Sequence, residues 1–86
     1  MSRLSEKVIE KIKNDILYVL YESNLKGVYT KHLSDEIARD DELVLNLLKE
    51  MEKNKLVKRT TSFKRRVKWV MEEDAYKKYK EMLNTI

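Results

Sequence analysis

The chain has no cysteine and no proline, and its 86 residues include one glycine and one histidine. Without cysteine there is no disulfide and no thiolate metal site, a composition that fits a reducing compartment. A single glycine, Gly27, excludes the glycine-rich loop that cradles phosphates in nucleotide-binding enzymes. A single histidine, His32, has no second histidine or thiolate to complete a zinc site, and it also leaves Ser2, Ser5, Ser23, Ser34 and Ser62 without a plausible base arrangement for nucleophilic catalysis. Asp40, Asp41 and Glu42 are consecutive and lack the alternating spacing of a calcium loop. No apolar run approaches the roughly 20 residues needed to span a bilayer, and the segment Met1 to Lys7 has no apolar core of a signal peptide. These absences predict a protein that is not an enzyme, carries no metal or cofactor, does not enter a membrane, and is soluble and cytoplasmic.

What the chain does have is charge, on 40% of its residues, against about 25% in ordinary domains. The net charge of +4 conceals an asymmetry. Residues 53–71 hold Lys53, Lys55, Lys58, Arg59, Lys64, Arg65, Arg66 and Lys68 and no acid. Of the 19 Lys and Arg, eight lie there, leaving eleven against 15 acids elsewhere, a net of −4. A concentrated basic stretch in an otherwise acidic chain points to a polyanionic partner; its alternative reading is a solvated surface that keeps the protein soluble.

Periodicity divides the chain. Leu4, Val8, Ile9, Ile12, Ile16, Val19 and Leu20 recur at three- and four-residue spacing and predict a helix over 3–23, with Leu17, Tyr18 and Tyr21 outside its apolar stripe. Asn24 to Gly27 ends it, the glycine supplying a left-handed turn. A short extended piece, Val28-Tyr29, follows. Thr30 then has the chemistry of an N-cap for a helix to about 38, with Leu33, Ile37 and Ala38 turned inward. Asp40 or Asp41 is expected to cap a third helix to about 54, with Leu43, Val44, Leu47, Leu48 and Met51 buried and Leu45 exposed. Beyond it the pattern changes to β-branched and aromatic alternation over 55–61 and 66–71, joined at Ser62 to Arg65, with Val67, Trp69 and Met71 on one face and Trp69 in the core. A final helix runs from Glu73 to about Asn84, with Tyr76, Tyr79 and Leu83 on one side and Met82 and Ile86 close by.

The order is helix, strand, helix, helix, strand, strand, helix in one mostly helical α+β domain over 1–86. Leu33-Ser34-Asp35-Glu36-Ile37-Ala38 resembles the first helix of a winged helix-turn-helix, and Asp41 to Glu52 resembles its recognition helix. Lys53-Asn54-Lys55-Leu56-Val57-Lys58-Arg59 is similar to the passage into the wing, and Arg66-Val67-Lys68-Trp69-Val70 to the wing's return strand. The likeness extends over roughly 4–84 and is to small archaeal and archaeal-virus transcription regulators. It places the helix-turn-helix at about 31–54, the basic wing at about 55–71 and the last helix at about 73–86.

The resemblance implies binding of double-stranded DNA, sequence-specific or architectural, by a transcription regulator whose recognition helix enters the major groove. The positions that match its reading residues are Glu42, Leu43, Leu45, Asn46 and Lys49. Three acids at the start of that helix favour capping and the helix dipole but oppose phosphate, so the wing is expected to carry most of the affinity. The expected DNA contacts are Lys31, His32, Asn46, Lys49, Lys53, Lys55, Lys58, Arg59, Phe63, Lys64, Arg65, Arg66 and Lys68. Phe63 at the hairpin tip either packs back onto the stem or stacks on or wedges between bases. Leu17, Tyr21, Tyr76, Tyr79, Leu83 and Ile86 are expected at a homodimer interface, although the same residues could pair within one chain. Two other readings stand beside this one: a protein partner docked on the acidic, leucine-bearing third helix, and an RNA or single-strand binder using Phe63 and the basic hairpin.

Overall fold

A computed structural model of the chain describes residues 5–61 and 67–84. Ser5 caps the first helix, α1 (Glu6–Glu22), its hydroxyl accepting from the Val8 amide at 3.2 Å. Ile12, Ile16 and Leu20 are fully buried. The apolar band is wider than the expected stripe, because Leu17 and Tyr21 also pack on the core from one flank while Val8, Ile9 and Val19 pack from elsewhere along the helix. A helix covered on more than one side needs apolar residues over more than the usual 100°. Asn24 (φ 53°), Leu25 (φ 67°) and Gly27 (φ 94°) make the left-handed exit turn. Glycine is required at the last of these: a Cβ there would stand 3.0 Å from Lys68 Cβ.

Next come β1 (Val28–Tyr29), α2 (Thr30–Ile37), α3 (Asp41–Lys53), β2 (Val57–Thr61), β3 (Val67–Met71) and α4 (Glu73–Asn84). This is the element order expected from the sequence. The strands form one antiparallel sheet ordered β1-β3-β2, with Val28 opposite Trp69 and Arg59 also opposite Trp69 from the other side. The side of the sheet bearing Val57, Trp69 and Met71 closes over Val44, Leu47, Leu48 and Met51 of α3 and the buried stripe of α1.

Three sequence expectations are corrected. Thr30 does not cap α2: Tyr29 holds the cap position without a side-chain bond, and the Thr30 hydroxyl instead accepts from Trp69 Nε1 at 2.9 Å. A buried indole N–H needs an acceptor, whereas amides at an exposed helix start can use water. Ala38 is exposed rather than inward, because it adopts the left-handed conformation (φ 56°, ψ 48°) that ends α2. Leu45 is half-buried against the core rather than exposed. It lies only about 60° around the helix from the buried Leu48.

Asp40 caps α3 as expected, its carboxylate accepting from the amides of Glu42 and Leu43. At the other end of α3 the Leu56 amide donates to the Met51 carbonyl at 2.9 Å and the Lys55 amide to the Glu52 carbonyl at 3.0 Å, with Lys55 left-handed (φ 61°). This closing motif turns the chain directly into β2. The return helix α4 leans on α1 through aromatic pairs: Tyr21 lies 5.1 Å from both the Tyr76 and the Tyr79 ring. No helix among the described residues is long and apolar enough to cross a membrane.

Candidate nucleic-acid interface

The buried face of α3 fixes what its opposite face shows. With Val44, Leu47, Leu48 and Met51 turned inward, Glu42, Asn46, Lys49 and Lys53 are exposed. Their spacing of four, three and four residues sets them in a single outward row. Lys49 and Lys53 have no ion-pair partner among the described residues, and the same holds for Lys55 just beyond. The remaining acids of α3 are engaged at its edges. Glu50 receives Lys13 of α1 at 2.8 Å, and Glu52 receives Arg59.

The acids at the start of α3 are drawn into the fold as well. Asp40 is occupied by the amides it caps. Asp41 accepts from the buried Ser34 hydroxyl and lies 3.9 Å from Lys31 Nζ. Glu42 alone of the three remains on the outward row without such a partner among the described residues. Lys31 also pairs with Asp35 at 3.3 Å. Its pKa is held above the usual lysine value, first by that hydrogen bond and then by the charges of Asp35 and Asp41. His32 lies 3.8 Å from Glu36 on the exposed side of α2. Lys31 and His32 therefore stand one element away from the α3 row, each beside an acid.

Strand alternation splits the wing's cations between two faces. Arg59 shares a face with Trp69, and its guanidinium lies 5.1 Å over the indole. Lys58 and Lys68 lie on the reverse face. Lys58 is 4.0 Å from Glu72, and Lys68 is half-buried with its ammonium 5.1 Å over the Tyr29 ring. The acid-free stretch of sequence is thus not an acid-free surface, since Glu52 and Glu72, the residues that bound it, pair with Arg59 and Lys58 inside it. Phe63, Lys64, Arg65 and Arg66 fall outside the described residues, as does Ile86.

Of the residues expected at a dimer interface, Leu17, Tyr21, Tyr76 and Tyr79 pack within the chain. Leu83 is exposed, together with Tyr18 and Met82. Tyr18 has its pKa raised, chiefly by its hydrogen bond to Glu22. Tyr79 has its pKa raised chiefly by burial. Sequence reasoning did not single out Glu52 or Thr30 as supports for the wing. Neither carries a local signal, because each acts on a partner in another element.

No family model matches the chain, and no curated protein sequence does. Solved structures do. ZitR of Lactococcus lactis, in a mutant form, superposes with a TM-score of 0.74 at 20% identity over 98% of this chain and 57% of that one. MepR, a transcription regulator of the Staphylococcus aureus multidrug efflux pump MepA, gives 0.70 at 23% identity, over 86% of this chain and 60% of that one. The Zalpha domain of zebrafish PKZ gives 0.67 at 18% identity, over 77% of this chain and 98% of that one. The chain therefore spans little more than half of ZitR or MepR and nearly the whole of the Zalpha domain. At these identities the likeness speaks for architecture, and with the element order and sheet topology it establishes the fold as a winged helix-turn-helix.

Proposed function

We propose that this chain binds double-stranded DNA as a transcription regulator or architectural protein, with the outward row of α3 and the basic hairpin forming one interface. The observation that carries this reading is the row Asn46, Lys49 and Lys53, which leads into the hairpin stem at Arg59. Lysines without internal partners suit phosphate, and an amide such as Asn46 suits the donor and acceptor pattern of a base edge. A MepR mutant that superposes at a TM-score of 0.66 and 23% identity is bound to an oligodeoxyribonucleotide, which supports the same use of the fold. The engagement of Asp40 and Asp41 by amides, Ser34 and Lys31 weakens the repulsion that three acids would otherwise direct at phosphate. The half-burial of Leu45 removes the main support for a protein partner docked on α3.

Affinity is expected to come mainly from the wing. Each phosphate neutralised releases counterions, so log affinity falls with log salt at about −0.9 per contact. Replacing Lys64, Arg65 and Arg66 together with alanine should weaken binding to every duplex and flatten that slope by about two to three units. Replacing Asn46 and Lys49 should have a smaller effect that depends on sequence. Fluorescence anisotropy at several salt concentrations measures both. A triple variant that binds like wild type, beside an Asn46/Lys49 variant that fails, would refute the wing-centred mechanism. Absence of wild-type binding at low salt would refute the DNA reading.

We further propose a homodimer, on a smaller surface than the sequence alone indicated. With Tyr21, Tyr76 and Tyr79 paired internally, the large apolar side chains left outward on α1 and α4 are Tyr18 (51% exposed), Met82 (63%) and Leu83 (40%). They border Tyr79 along α1 and α4. Sedimentation of the protein as a monomer at tens of micromolar, on the order of a stable dimer's working range, would remove this part of the proposal.

A further inference from the structure

We propose that Arg59 is a preset bidentate donor to a DNA backbone phosphate, and that Glu52 is the positioning residue that holds it ready. The inference rests on the DNA reading above and assigns a geometric task within it. Arg59 is fixed from two directions. Glu52 accepts from Nε through both carboxylate oxygens, at 3.2 and 3.1 Å, and the guanidinium carbon lies over the buried indole of Trp69, 5.1 Å from the ring centroid. Trp69 is itself anchored through Nε1 to Thr30. Both bonds from Glu52 fall on Nε. The two terminal amino groups, with four N–H donors, make no hydrogen bond among the described residues, and the side chain is 47% exposed.

A guanidinium held at its inner nitrogen and seated over a ring keeps its outer fork ordered before a ligand arrives. That fork matches two oxygens of a phosphate, and little side-chain entropy remains to be lost. Lysines at Lys49, Lys53 and Lys55 supply charge without such geometry. The position also suits a backbone contact rather than a base edge. Arg59 sits at the hairpin stem beside the last turn of α3, whereas base reading in this architecture belongs to the first part of the recognition helix.

The structure makes the sign of one experiment decisive. Glu52 carries a negative charge beside the proposed DNA surface, so simple electrostatics requires its removal to strengthen binding. Positioning requires the reverse when the acceptor is lost, and no loss when only the charge is removed. Anisotropy titrations with two labelled duplexes of different sequence, each about two helical turns or roughly 20 base pairs, would compare wild type with Arg59→Lys, Glu52→Ala and Glu52→Gln. Thermal melts confirm that each variant folds. Arg59→Lys keeps the charge and should weaken binding about tenfold on both duplexes, the scale of one good bidentate pair. Glu52→Ala should also weaken it, by roughly threefold or more, while Glu52→Gln, whose amide oxygen still accepts from Nε, should bind at least as well as wild type. Tighter binding by Glu52→Ala, or unchanged binding by Arg59→Lys, overturns the proposal and leaves the DNA reading standing. A loss confined to one duplex overturns the phosphate assignment in favour of a base. Failure of the wild type to bind either duplex at low salt overturns both readings.

Discussion

Replacing Thr30 with valine removes one oxygen and keeps the shape of the side chain, which isolates its bond to Trp69. The indole is 1% exposed, so water has no route to replace the lost acceptor. An N–H left buried without a partner costs about 1–3 kcal/mol. Threonine and valine have similar helix propensities, and Thr30 makes no capping bond to lose, since the cap position belongs to Tyr29. We therefore expect a loss of about 2 kcal/mol, or roughly 8–16 °C in melting temperature for a domain of this size. Thr30→Ser keeps the acceptor and should lose much less. The assay is thermal and urea unfolding followed by far-ultraviolet circular dichroism, with Trp69 fluorescence reporting the indole's surroundings. A Thr30→Val variant within about 0.5 kcal/mol of wild type, in the range of ordinary surface substitutions, would show that the bond contributes nothing net. The picture of Trp69 as an anchored platform for the wing would then fail.

Three further outcomes follow from local geometry. Ala38→Gly should stabilise the protein by about 1 kcal/mol, because Ala38 sits in the left-handed region that penalises a Cβ; an unchanged or lower urea midpoint would contradict that. Leu45→Lys should destabilise by about 1 kcal/mol or more, since the side chain is half-buried against the core; a melting temperature equal to wild type would return Leu45 to the solvent. Lys13 has its pKa raised, first by the hydrogen bond to Glu50, then by the charges of Glu50 and Glu10 working against burial. A raised folded-state value means that this contribution is fully present below the ordinary lysine pKa and disappears as pH rises through the folded one. The stability difference between wild type and Lys13→Gln should therefore be constant near neutrality and shrink above about pH 10.5, as measured by urea unfolding at pH 8 and pH 11; a difference unchanged across that interval would refute it.

The order and type of the elements are legible in local sequence signals. The repeats Ile12, Ile16, Leu20 and Val44, Leu48, Met51 fit only helices. The alternation around Val67, Trp69 and Met71 fits only a strand, and Gly27 and Asp40 mark ends through backbone freedom and capping that act within a few residues. Such signals are local, so they survive without the fold. The outward row Asn46, Lys49 and Lys53 was legible for the same reason, being the complement of a buried stripe. Tertiary structure alone decided which atoms each side chain meets. Thr30 looked like a cap, but a buried indole thirty-nine residues later claims its hydroxyl. Leu45 looked exposed until the fold packed it against the core, and Tyr21, Tyr76 and Tyr79 had equal claim to a second chain until α4 folded back on α1. The acids that bound the basic stretch, Glu52 and Glu72, fold back onto Arg59 and Lys58 within it, because charge acts through distance and solvent and not along the chain. That difference sets Arg59 apart among the described cations of the stretch, its guanidinium held between a carboxylate and a ring.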